Sequence, residues 1–232
     1  ETRRSGGMHY TSVENIHKVI DPLFLNDLNE EFEKIKKLKQ KKTRNERLEE
    51  FQTKLGKLTF LDPACGSGNF LTETFLQLRK LENKIIKMLI EEETIMMDLG
   101  NITKVDIHQF YGIEINDFAV SVATTALWIA ESQMIKETEA IVNMRMKYLP
   151  LKEYNNIVEG NALRLDWNDV IPAQELDYIM GNPPFIGKKF QTPEQKRELM
   201  LAFGKDFRGV GAIDYVAGWF KKAIDYIEYY KI

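Results

Sequence analysis

Apolar residues recur along this chain at two spacings, and the change between them divides it in two. Thr11 and Glu14 have the spacing of a capping box, and Val13, Ile16 and Ile20 follow on one helical face. A short helix is therefore expected directly after Gly6-Gly7-Met8-His9-Tyr10. Between Glu30 and Leu55, Phe32, Ile35, Leu38, Leu48, Phe51 and Leu55 stand at helix-like intervals among Lys, Glu and Arg, which predicts one or two exposed amphipathic helices. From Leu58 the rhythm changes. Leu58-Thr59-Phe60-Leu61, Phe110 to Ile115, Ile157-Val158 and Leu176 to Met180 read as short buried strands, separated by longer helical stretches. The helix from Asn69 is expected to face Phe70, Phe75, Leu78, Leu81, Ile85 and Leu89 inward. The one capped by Asn116 packs through Ala119, Val122, Ala123, Ala126, Leu127 and Ala130. Thr192, Pro193 and Gln195 open another helix, and a last one presents Tyr215, Val216, Trp219, Phe220, Ala223, Ile224 and Ile227. Strands alternating with helices in this way predict a doubly wound α/β domain.

Composition narrows the picture. With 232 residues, 44% of them hydrophobic, the chain can bury an ordinary core. Its apolar stretches are broken by charges short of the roughly 20 residues that span a bilayer, so no membrane partner and a cytoplasmic location are the expectation. One cysteine, Cys65, excludes an internal disulfide, and His9, His17 and His108 are too scattered for a metal cluster. A net charge of −3 argues against a free-standing nucleic-acid binder. Eight Lys and Arg residues between Lys34 and Arg47 are offset by acidic neighbours and read as a solvated face rather than a DNA-binding arm. The first residues lack an initiator Met, and Tyr229-Tyr230-Lys231-Ile232 stop within an apparent helix, which suggests a piece of a longer polypeptide.

The candidate chemistry lies at the ends of the expected strands. Asp62-Pro63-Ala64-Cys65-Gly66-Ser67-Gly68-Asn69-Phe70 joins the first strand to its helix, where such folds bring backbone close to a nucleotide-like ligand. It lacks the third glycine of a dinucleotide fingerprint and the Lys of a P-loop. Asp62 can accept from an ammonium, Glu114 at the end of strand two from both hydroxyls of a ribose, and Ile115 can pack on an adenine face. Asn161, between Gly160 and Ala162 after strand three, can read the adenine edge. Taken singly these are equally a surface Glu, a core Ile and a turn Asn. Together they describe one ligand. After strand four, Asn182-Pro183-Pro184-Phe185 can neither extend a strand nor enter a helix interior. An Asn amide oxygen, a Pro carbonyl and an aromatic ring suit a planar amino group, two acceptors for its protons and a ring for the attached base.

Asp62 to Phe70 resembles motif I of amino-group methyltransferases acting on DNA, Asn182 to Phe185 their motif IV, and Gly7-Met8-His9-Tyr10-Thr11-Ser12 their motif X. The order is that of the gamma class. The run Gly181 to Gln191, continued by Gln195-Lys196 and Asp214-Tyr215-Val216-Ala217, is similar to MmeI-like single-chain restriction-modification enzymes. The resemblance implies a Rossmann-like S-adenosylmethionine (SAM)-dependent methyltransferase sheet over 58–232, incomplete in its later strands. A helical segment carrying motif X occupies 1–57. It implies that Tyr10, Thr11, Asp62, Ala64, Cys65, Gly66, Gly68, Glu114, Ile115, Asn161, Ala162 and Asn182 hold SAM, and that Asn182, Pro183, Pro184 and Phe185 act on the amine. Cys65 reads as a small packing residue of that loop rather than a catalytic thiol. Many relatives have Asp where this chain has Asn161. The implied partner is double-stranded DNA with a flipped-out adenine, read by a target-recognition domain, and a nuclease domain, of the same polypeptide. The alternatives are methyl transfer to amino groups of protein glutamine or RNA guanine, and a non-catalytic SAM-binding fragment.

Overall fold

The structure is a computed structural model and describes residues 11–92, 102–145, 154–204 and 209–228. Three helices come first: α1 (Val13–Ile20), which runs through a wider turn at Asp21–Leu25 into α2 (Asn26–Lys36), and α3 (Lys41–Leu55). The domain then alternates β1 (Phe60–Asp62), α4 (Asn69–Glu91), β2 (Phe110–Glu114), α5 (Asp117–Val142), β3 (Ile157–Glu159), β4 (Tyr178–Ile179), α6 (Pro193–Phe203) and α7 (Ala217–Glu228). The four strands form one sheet in the order β3-β2-β1-β4, parallel at every pairing. This is the doubly wound α/β arrangement expected.

Alternation along the strands sends side chains to two cores. Phe60, Phe110 and Tyr178 face one side, their rings stacked with centroids 5.2 and 5.4 Å apart. Leu61, Ile113 and Ile179 face the other, with Trp167, Leu199, Tyr215 and Trp219. The first core also takes in Ile16, Phe24, Phe32, Leu48, Phe51 and Leu55. Helices α1–α3 thus pack onto the same sheet face as α4. Four of the eight basic residues from Lys34 to Arg47 pair locally on exposed faces, as Lys34–Glu30, Lys36–Glu33, Lys42–Glu46 and Arg47–Glu50, while Arg44 reaches Glu92.

Several expected boundaries move. Ser12, not Thr11, caps α1, its hydroxyl accepting from Asn15 N–H at 3.4 Å. Strand β1 starts two residues late because Gln109 Nε2 donates to the Leu58 carbonyl, which therefore leaves the ladder. Strand β4 shortens to Tyr178–Ile179, although Met180 N–H still bonds the Leu61 carbonyl at 2.9 Å. Helix α5 is long and apolar enough to cross a membrane by composition alone, averaging a hydropathy of 1.2 over 18 residues, contrary to the expectation. Its Ala119, Ala123, Leu127, Ala130 and Met134 stripe is nevertheless buried, and α5 packs along α4 as a core helix. Val122 and Ala126, expected on that stripe, are only half-buried. Helix α7 carries two apolar stripes instead of one: Trp219 and Tyr226 face inward, while Phe220, Ile224 and Ile227 stay exposed.

Candidate active site

The carboxyl ends of all four strands open on one cavity of about 360 Å³. Pro63 and Ala64 after β1, Glu114 and Ile115 at β2, Asn161 and Ala162 after β3, and Asn182 and Pro184 after β4 contribute to its wall. Ligand sites belong at this position, where the chain order reverses about β1.

Asp62 ends β1 fully buried, its Oδ1 accepting from Ala64 N–H at 3.0 Å. Burial pushes its carboxyl up to about 7, against the pull of the Ala64 bond and with help from the nearby Glu114 charge. The turn that follows uses left-handed backbone at Gly66 and Gly68. Gly68 also lets the start of α4 press against α5, since a Cβ there would lie 2.9 Å from the Ala123 methyl. Glu114 links the two loops: one oxygen accepts from Gly66 N–H at 2.9 Å and the other from Asn116 N–H at 3.0 Å. Each oxygen retains capacity for another donor, and two adjacent hydroxyls are such donors. Asn116 then caps α5 by accepting from Ala119 N–H at 3.1 Å.

Gly181 adopts φ +149°, and Asp62 leaves no room for a side chain there: a Cβ would meet Asp62 Oδ1 at 2.3 Å. The cofactor-type loop and the Asn-Pro-Pro-Phe strand end are therefore in direct contact. Asn182 Nδ2 points to Thr11 Oγ1 at 3.4 Å, which leaves its Oδ1 for another donor. Residues of motif types X, I and IV, far apart in sequence, converge here.

The DNA-methyltransferase domain of MmeI matches residues 36–232. The chain belongs to this family. It is 44% identical over 223 residues to DNA methyltransferase A of Bacillus subtilis, a match covering 95% of this chain and 24% of that protein. It is also similar to the type IIL restriction-modification enzyme MmeI solved in complex with DNA, at TM-score 0.87 and 41% identity over 96% of this chain and 29% of that one. The chain spans about a quarter of the length of these relatives.

Within this MmeI-type domain, not every expected residue faces the cavity: Asp62 is enclosed and Thr11 is engaged by Asn182, and neither lines its wall. Tyr10 lies outside the described residues. Cys65 is buried toward β2, its Sγ against Gly112, and loss of solvation raises its thiol pKa well above the usual range. It packs against the strand. Gly66 and Gly68 shape the turn from behind. Phe185 stands outside the cavity, 71% exposed, and Pro183 stiffens the chain between them. Conversely, Gln195, Tyr215 and Trp219 complete the wall; the sequence placed them in a helix start, an apolar stripe and, for Gln195 and Tyr215, the MmeI-like run, but not among the cofactor residues. Trp219 Nε1 donates to the Pro63 carbonyl at 3.0 Å and fixes α7 against the loop after β1.

Proposed function

We propose that this MmeI-type domain transfers the methyl group of SAM to the exocyclic amine of adenine in DNA, as part of a restriction-modification protein. The observation that carries this reading is the shared cavity, lined at one end by Glu114, Ile115 and Asn161 and at the other by Asn182 and Pro184. The residues fit SAM by chemistry. On the cavity wall, Glu114 offers acceptors to the ribose hydroxyls, Ile115 an apolar face to adenine and Asn161 an amide to its edge. Asp62, enclosed beside Pro63 and Ala64 of that wall, would offer the ammonium a carboxylate once a ligand opens the loop. When bound, SAM supplies an electrophilic methyl on a sulfonium.

Asn182 Oδ1 and the Pro183 carbonyl accept the two amine protons, so the nitrogen pyramidalises and its lone pair points at the methyl. These neutral acceptors also stabilise the positive charge that develops on nitrogen. No base is needed before transfer, and the proton leaves afterwards to solvent. Reaching the amine in a duplex requires flipping the base, at a cost of a few kcal/mol. Phe185, exposed beside the Asn-Pro-Pro turn, is available to stack on the flipped base. We expect Phe185→Ala to lower kcat/KM on duplex DNA by about tenfold to a hundredfold, the range of base–aromatic stacking, with SAM affinity unchanged. A parallel loss of SAM affinity would remove Phe185 from this role.

Sequence recognition, and cleavage if present, would belong to further parts of the longer polypeptide. A radiolabelled methyl-transfer assay on DNA, RNA and protein tests the substrate, and labelling of protein or RNA alone would overturn the choice.

Asp62 makes the cofactor step pH-dependent. Its folded pKa of about 7 means that the free chain holds a proton there in mild acid. An ammonium group favours the ionised carboxylate, so binding releases that proton and affinity falls as pH drops below 7. SAM titrations should show an affinity loss of about tenfold per pH unit below about pH 7, which Asp62→Asn removes while weakening binding. A flat profile in the unsubstituted chain would exclude Asp62 from contact with the ammonium.

A further inference from the structure

The surroundings of Asn161 fix it as an amide. Its Oδ1 accepts from Leu163 N–H at 2.9 Å, and its Nδ2 donates to Glu198 Oε1 at 2.8 Å. Glu198 is only 4% exposed on α6 and also accepts from Arg164 Nε at 2.9 Å and from the Tyr215 hydroxyl. Burial, followed by the bond to Glu198, raises the Tyr215 pKa and keeps that hydroxyl a donor. A carboxylate at position 161 would meet a second carboxylate at hydrogen-bond distance. An amide turned the other way would set its NH₂ against Leu163 N–H and its oxygen against Glu198. Both alternatives lose bonds and gain repulsion, so the amide has one orientation.

We infer that Glu198 is a positioning residue that locks the Asn161 amide and thereby selects a 6-amino over a 6-oxo purine in the cofactor. This rests on the SAM reading of the cavity. Locked, Asn161 aims the second lone pair of Oδ1 at a donor, which the 6-amino group of adenine supplies, while its Nδ2 stays engaged with Glu198 and the Tyr215 hydroxyl. A 6-oxo purine presents an acceptor where Oδ1 needs a donor. An unlocked amide would rotate and accept either base.

The test is calorimetric titration of this chain with S-adenosylhomocysteine and with its S-inosyl counterpart. The unsubstituted chain should prefer the adenosyl compound by about tenfold to a hundredfold, the cost of leaving a desolvated acceptor facing another acceptor. Glu198→Ala should bring the ratio within about threefold, whereas Glu198→Gln, which keeps an acceptor for Nδ2 and a donor toward Tyr215, should preserve it. Asn161→Asp should weaken both ligands, and Asn161→Asp with Glu198→Gln should restore adenosyl binding and its preference. This pair decides the matter should Glu198→Ala fail to fold. Equal binding of both ligands to the unsubstituted chain, or an unchanged ratio in Glu198→Ala, would overturn the lock while leaving the SAM site standing. No binding of S-adenosylhomocysteine to the unsubstituted chain would overturn the SAM reading and the lock with it.

Discussion

Replacing Asn182 by alanine should lower the single-turnover rate of methyl transfer by about a hundredfold to a thousandfold, the loss typical of one preorganised acceptor or donor facing developing charge. SAM affinity should stay within about threefold, because the carboxylates at Asp62 and Glu114 and the amide at Asn161 remain. The argument is geometric. Asn182 follows β4 by three residues, held by the Gly181 bend against Asp62, and its Nδ2 is directed to Thr11 Oγ1 at 3.4 Å. Oδ1 is thus the end that faces an incoming amine. An amine has two protons, and the Pro183 carbonyl can take only one of them in the required direction. Without Oδ1 the lone pair stays delocalised into the base. Quench-flow methyl transfer beside a SAM titration separates the two effects. An equal fall in SAM affinity would mean that Asn182 chiefly binds cofactor.

The same cavity shows which links from sequence to structure are short. Each strand end is legible because a buried β run stops at a polar or glycine-rich turn, so Asp62, Glu114, Asn161 and Asn182 announce themselves locally. The parallel sheet order brings Glu114, Asn161 and Asn182 onto one cavity and sets the enclosed Asp62 against Gly181 beside it. Glu198 and Tyr215 give no such signal. Glu198 lies on α6 among Glu194, Lys196 and Arg197, where a carboxylate reads as a solvated helix face, yet it is buried. Only packing of α6 and α7 over the sheet decides that, and periodicity cannot count neighbours from another element. Thr11 was misjudged for a related reason. Its hydroxyl suits a helix cap as well as Ser12 does, but Asn182 claims it from 171 residues away. Helix α7 misled because an apolar run of Phe220, Ile224 and Ile227 looks buried from sequence alone, whereas the described residues bring nothing over it.

Gly181→Ala should be the most damaging single methyl addition in the domain. The new Cβ would sit 2.3 Å from Asp62 Oδ1, and φ at +149° is a region that L side chains rarely adopt. Strain of this kind costs about 1–3 kcal/mol even before the clash is counted. Neither partner can yield easily. Asp62 is enclosed and bonded to Ala64 N–H, and the two prolines after Asn182 hold the strand end rigid. Moving Asp62 aside would displace the loop that Glu114 anchors through Gly66. Moving Gly181 would shift Asn182. The substitution should therefore lower both the urea midpoint and SAM affinity, the latter by at least about tenfold if one charge-assisted contact is lost. A double-mutant cycle distinguishes collision from backbone strain. If collision with the carboxylate dominates, Gly181→Ala should cost clearly less stability when Asp62 is already alanine. If the two costs simply add, the damage comes from the backbone at Gly181, and the mechanical tie between the Asp62 loop and Asn182 is not the reason for glycine there.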